Sequence, residues 1–192
     1  MPPKLKFTKQ EIVNATFQLV KEQGWSALST RTLAGVLGTS ARPIYSHFDS
    51  MDKLEEEIAR IGMELLHTYM IKERTGDPWH DHGIGYVVFA LEEKCLFRGL
   101  NDEKHIKYFK KYGEIIWKSL TDSLSDYPPF QGLSEEQIYQ VQLTRWLFAH
   151  GFAFQVANDP SEVWDGRIDP MIQQGSIAIL EGLKQQFTLS DT

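Results

Sequence analysis

The chain has 192 residues, enough for one large domain or two small ones, and can bury on the order of 70% of the surface exposed when unfolded. With 42% hydrophobic and 24% charged residues it excludes a disordered chain. Its single cysteine, Cys95, excludes an internal disulfide and a Cys-based zinc cluster and fits a reducing compartment. The longest apolar run, Tyr86-Val87-Val88-Phe89-Ala90-Leu91, is far shorter than the roughly 20 residues of a membrane span. The start of the chain has lysines but no apolar segment behind them, so a soluble, cytoplasmic protein is expected, with no membrane partner.

Charge is unevenly shared. The net charge of −6 argues against a protein that coats nucleic acid indiscriminately. Residues 1–47 carry six lysines and arginines against Glu11 and Glu22, a net +4, which leaves −10 on residues 48–192. Such asymmetry points to a nucleic-acid-binding part joined to a part that is not, although an ordinary solvated face has the same arithmetic.

Capping chemistry predicts helices along the whole chain. Thr8-Lys9-Gln10-Glu11 is a capping box, followed by the stripe Ile12, Ala15, Thr16, Leu19 and Val20 and closed by Gly24. Ser29 caps a short second helix that ends at Gly38. Ser40 caps a third, with Pro43 in its first turn. Asp49 or Ser50 opens a fourth, carrying Leu54, Ile58, Ile61 and Leu65, which stops before Gly76-Asp77-Pro78. Further helices are predicted over 83–99, 102–125, 134–158 and 169–188. Asn101, a second capping box at Ser134–Gln137, and Asp169-Pro170 mark their starts. No strand alternation, repeat or low-complexity tract is present. The expected fold is all-α, with about eight to nine helices. Three of them form an N-terminal helix-turn-helix domain over residues 1–50, and residues 51–192 form a helical bundle.

Residues 29–48 pack two short helices around Gly38-Thr39-Ser40, the punctuation of a helix-turn-helix, in which the second helix enters the major groove. A plain αα-corner has the same spacing. Leu33, Val36, Leu37 and Ile44 are expected to hold the pair against the first helix, with Ala41, Arg42, Tyr45, Ser46 and His47 facing outward. The string Leu28-Ser29-Thr30-Arg31-Thr32-Leu33-Ala34-Gly35-Val36-Leu37-Gly38-Thr39-Ser40, then Ala41-Arg42-Pro43-Ile44-Tyr45-Ser46-His47-Phe48, resembles the DNA-binding domain of TetR-family transcriptional regulators over about residues 8–60. The resemblance implies that Arg31 and Arg42 touch bases or nearby phosphates, arginine being suited to guanine O6 and N7. It implies phosphate positioning by Thr30, Ser40, Tyr45 and His47, and weak base reading by Ser46. The family usually carries a phosphate-directed lysine at the start of helix four. Here that place is Met51, and Lys53 lies two residues on, about 200° around the helix. Lys4, Lys6 and Lys9 form a basic tail able to reach the backbone or a minor groove, or to stay solvated.

Residues 61–192 show no catalytic pattern. Their aromatic content serves core packing or a small-molecule pocket, for which Phe89, Phe109, Tyr112, Trp117, Trp146, His150 and Phe154 are the candidate lining. Gly113, Gly151 and Gly175 within predicted helices mark close helix approach or room for a ligand. Phe89–Arg98 and Trp146–Gly151 look like the ligand-binding domain of one branch of the family, which implies that the last two helices pair with those of a second copy. Ile172, Ser176, Ile179, Leu180, Leu183 and Phe187 form a stripe of suitable width for that dimer interface. The implied partners are thus a double-stranded DNA operator, a small-molecule effector and a second copy of the chain. No cofactor or metal is called for. His80-Asp81-His82 near Asp77 has metal-ligand residue types in a loop, a weak pattern that reads first as a solvated linker; a metal-dependent enzyme is the remote alternative. A second alternative is an effector-independent DNA-binding protein that shapes DNA or recruits partners.

Overall fold

The structure, a computed structural model, describes residues 7–190. The described chain is all-α, without strands, as α1 (Lys9–Gln23), α2 (Thr30–Val36), α3 (Arg42–Tyr45), α4 (Met51–Ile71), α5 (Pro78–Glu92), α6 (Lys94–Leu100), α7 (Ile106–Asp122), α8 (Glu135–Asn158) and α9 (Ile168–Ser190). Both expected capping boxes form. The Thr8 hydroxyl accepts from the Glu11 amide while the Glu11 carboxylate accepts from the Thr8 amide, and Ser134 and Gln137 do the same for α8. Ser29 accepts from the Thr32 amide at 3.1 Å, and the Ser50 hydroxyl, not Asp49, accepts from the Lys53 amide at 3.3 Å.

Elsewhere the boundaries differ from the sequence expectation, each for a local reason. Ala41 stands at the N-cap of α3, with no side-chain cap bond, so Ser40 is not its cap. α5 starts at Pro78, because the Asp77 carboxylate accepts from the Trp79 amide at 2.8 Å. His80, Asp81 and His82 therefore lie in the first turns of a helix and not in a loop. Asp81 is buried and accepts from the Arg74 amide, the Thr75 amide and the Thr75 hydroxyl, closing the preceding turn. The single helix expected over 83–99 is two, broken at Glu93, whose buried carboxylate meets the Lys21 ammonium at 2.6 Å. The expected start at Asn101 gives way to a turn, and α7 begins at Ile106 after Asp102 accepts from the His105 amide. α9 begins at Ile168, which puts Asp169 inside its first turn.

The chain divides into two compact units. The first holds residues up to 64 together with 93–113. Ile12, Val13, Leu19 and Val20 of α1 form its core with Leu33, Ile44, Phe48, Leu54 and Ile58. α6 packs on α1, and Gly99 lies so close to the Trp25 indole that a Cβ there would overlap the ring. Beside it His105 is clamped, its Nδ1 2.8 Å from the Asp102 carboxylate and its Nε2 3.4 Å from buried Glu55, with Trp25 at 4.2 Å between ring centroids. Burial pulls the imidazole pKa down, but the bonds to Glu55 and Asp102 outweigh it and hold it above its ordinary value.

The second unit holds residues 65–92 and 114 onward. α5 is buried along most of its length between α8 and α9. Trp79, Leu124, Phe130, Val141 and Leu180 form one apolar cluster, with Tyr127, Leu183 and Phe187 against it. This corrects the reading of α9. Ile172 and Ser176 are fully buried and Leu180 nearly so within the chain's own unit, with Ile179 and Leu183 half-buried, so that stripe is core and not a free face. The outward residues are instead Met171 and Ile177 on α9 and Leu147 and Phe154 on α8.

Candidate nucleic-acid interface

α2 and α3 are held by the fully buried Leu33 and Ile44, and the chain turns between them at Gly38. Gly38 takes φ +59°, a left-handed conformation that a Cβ disfavours. Val36 departs from expectation. It is 54% exposed, because α2 turns only its Leu33–Ala34 face to the core.

On the outer surface Arg31, Arg42, Tyr45 and Ser46 are exposed, with Ala41 half-buried at the head of α3. The Thr30 and Tyr45 hydroxyls lie 2.9 Å apart and tie the start of α2 to the end of α3. That bond fixes the relative placement of the arginines that flank it in sequence. The Ser46 hydroxyl donates to the Pro43 carbonyl at 2.6 Å, and Ser40 is exposed in the turn. His47 Nε2 donates to the Phe7 carbonyl at 2.8 Å, and Lys9 lies 5.2 Å over the Phe48 ring. Phe7, two residues ahead of α1, is thus tied to the chain just after α3. Lys4 and Lys6 lie outside the described residues. Lys53 is exposed, with its ammonium 3.2 Å from Glu56, while Met51 occupies the first position of α4.

The candidate ligand residues are divided between the two units. Phe109 and Tyr112 belong to the first unit, and Phe89, Trp117, Trp146, His150 and Phe154 to the second. Within the second unit Phe89 is fully buried against Tyr69, and Trp117 meets Tyr139 beside a cleft of about 310 Å³. Trp146, His150 and Phe154 form a continuous aromatic column, in which Trp146 stacks on His150 at 4.8 Å and Phe154 meets it edge-on at 5.0 Å. The His150 Nδ1 lies 2.6 Å from the buried Tyr86 hydroxyl, and burial lowers the histidine pKa. Of the glycines singled out, Gly175 abuts the Phe148 ring, whereas Gly113 and Gly151 face open space.

The sequence reading missed a polar interior in this unit, made by His82, Gln142, Arg145 and Ser176, all at most 6% exposed. One signal was available: Arg145 interrupts the apolar series Val141, Ala149, Phe152 and Val156 on the inner side of α8. An arginine at such a register position is either buried or misassigned.

Residues 12–58 match the family model for bacterial regulatory proteins of the tetR family. Across 84% of its length the chain is 24% identical to the uncharacterized HTH-type transcriptional regulator YobS of Bacillus subtilis (strain 168), covering 85% of that protein. Among solved structures it shares the fold of a single-substitution TetR variant from Acinetobacter baumannii AYE in complex with minocycline, with a TM-score of 0.57, 18% identity, and coverage of 94% of this chain and 98% of that one. The TetR-family regulator PfmR from Thermus thermophilus gives a TM-score of 0.54 at 16% identity, with 88% and 97% covered. No described helix is long and apolar enough to cross a membrane. The chain thus presents a helix-turn-helix with arginines on its outer surface, matches the tetR family model over that same segment, and shares along most of its length the fold of two solved TetR-type proteins.

Proposed function

We propose that the chain is a cytoplasmic, homodimeric repressor that binds a palindromic operator through residues 1–50 and leaves it when a small molecule enters residues 51–192. The observation that carries the reading is the exposed set Arg31, Arg42, Tyr45 and Ser46, oriented by the Thr30–Tyr45 bond on a turn that Gly38 closes. One helix-turn-helix reads only a few base pairs, and a two-fold pair doubles the contact set over half-sites about one helical turn apart. Leu147 and Phe154 on α8 with Met171 and Ile177 on α9 are exposed apolar residues of helices that pack on each other, and they supply the dimer face. α4 is continuous from residue 51 to 71, so displacement of its last turns by a ligand is carried to its first. The minocycline bound by the A. baumannii relative supports a small-molecule effector as the class of signal. Coupling of about 1–3 kcal/mol is the usual scale of such a switch.

Selection of duplexes from a random pool by the purified chain tests the reading. Enrichment of a palindrome is expected, with a log–log salt slope near −7 if about eight phosphates are neutralised per dimer. Absence of enrichment at every salt concentration would sink it.

A further inference from the structure

The interior of the second unit contains polar groups that its own contacts leave unused. Arg145 is 6% exposed and forms no ion pair among the described residues. One Nη donates to the Trp79 carbonyl at 2.9 Å, the guanidinium lies 4.2 Å over the Trp79 ring, and Nε has no partner. Nearby, His82 is 3% exposed with Nδ1 unpartnered, and Ser176 is fully buried with its hydroxyl unpartnered. These groups come from α8, α5 and α9, which pack on one another, and Arg145 acts electrostatically on His82, the neighbour of Gly83. A Cβ on that glycine would stand 3.2 Å from the same Arg145 Nη and 2.8 Å from Ile172, one turn before Ser176.

The nearest acid does not neutralise the site. The Asp77 carboxylate accepts from the Trp79 amide at 2.8 Å and from the Tyr127 hydroxyl at 2.9 Å, and reaches Arg145 only through space. Burial lowers the arginine pKa to about 10, against the pull of Tyr127 and Asp77, so it is charged at neutral pH. Burial and the Arg145 charge push His82 down to about 4, so it is neutral there. The result is one buried positive charge beside neutral polar groups, with Asp77 and Asp81 acting on the cluster only through space. A buried charge without a counter-ion is strongly unfavourable, and a carboxylate is the group whose geometry matches a guanidinium edge.

We propose that Arg145, with His82 and Ser176, anchors the effector, and that the effector is a small organic acid whose carboxylate takes the free Nε edge of Arg145. This rests on the effector-responsive reading above and adds the chemical class of the ligand. Ser176 donates through its hydroxyl, and neutral His82, whose Nε2 faces the Ser123 hydroxyl that itself donates to the Leu120 carbonyl, lines the site without adding charge. On the outer side of His82, Ser123 lines an open cleft of about 380 Å³ and has its hydroxyl 3.5 Å from His82 Nε2.

The test is calorimetric binding and thermal unfolding of the purified full chain, without DNA, with acetate, benzoate and octanoate, each against its own amide. At least one acid is expected to bind at least tenfold more tightly than its amide and to raise the melting temperature. Arg145→Met should abolish that preference and Arg145→Lys keep part of it. Affinity should stay level from pH 6 to 8, since His82 does not titrate there. The proposal is overturned if no acid is preferred over its amide, or if the preference survives in Arg145→Met. Should that variant not fold, the acid-against-amide comparison on the wild-type chain decides alone. The preferred acid is then added to the protein–operator complex. Release upholds both readings, and binding without release keeps the anchor but sinks the effector switch. Release by amides alone, with no acid preferred, removes the anchor and keeps the switch.

Discussion

Arg31 and Arg42 lie between the two residues of the Thr30–Tyr45 bond and are exposed, and the proposed function gives each either a base edge or a phosphate to touch. The distinction is measurable. If Arg42 reads guanine, Arg42→Ala weakens operator binding by about 1–3 kcal/mol and relaxes specificity at one position of each half-site. If it neutralises a phosphate, the loss is uniform across sequences and the salt slope falls by about one per contact, which titration of matched and mismatched duplexes separates. His105 offers a second test at this scale. Its pKa is raised in the folded chain, so its stabilising contribution is complete below about pH 6.5 and is lost as pH climbs through the folded value. Denaturant unfolding should show stability of the wild-type chain declining over that alkaline window, and His105→Gln should flatten the decline. These residues differ in legibility. The exposure of Arg31 and Arg42 was readable because their spacing belongs to a contiguous motif. His105 was not, because Glu55 and Trp25, which define its environment, lie 50 and 80 residues away in sequence.

At the level of elements, the caps and the turn carry most of the local specification. Gly38→Ala places a Cβ at φ +59°, and should cost about 1–2 kcal/mol and loosen the α2–α3 geometry. Its signature is a loss of operator affinity larger than the fall in melting temperature accounts for. Gly99→Ala acts differently, because its Cβ would overlap the Trp25 ring, and a cost of about 1–3 kcal/mol is expected in thermal unfolding. α1 and α8 were legible to the residue, since a capping box is a bond between groups three positions apart. The division of the 83–99 segment was not. Helical periodicity runs through Glu93, and only the ion pair to Lys21 and the packing of α6 on α1 separate α5 from α6 there.

Across the whole molecule, the proposed function depends on association. The combined change Leu147→Asp with Ile177→Asp leaves both side chains exposed in a single chain. Sedimentation analysis is therefore expected to show a folded monomer, with operator affinity reduced by at least tenfold. An unchanged dimer would move the interface elsewhere. The same change should leave acid binding at Arg145 in place, since that cluster lies on the inner sides of α5, α8 and α9.

The amino-acid sequence by itself determined what depends on neighbours along the chain: the caps of α1, α2 and α8, the left-handed turn at Gly38, the buried Leu33 and Ile44, and hence the helix-turn-helix and the family resemblance of that segment. What burial decides needed the tertiary structure. An apolar stripe such as Ile172, Ser176 and Leu180 is equally suited to a second chain or to its own core, because the hydrophobic effect has no direction. Only the packing of α9 on α5 and α8 turned that stripe inward. The same packing enclosed Arg145, a charge whose meaning depends on the three helices around it.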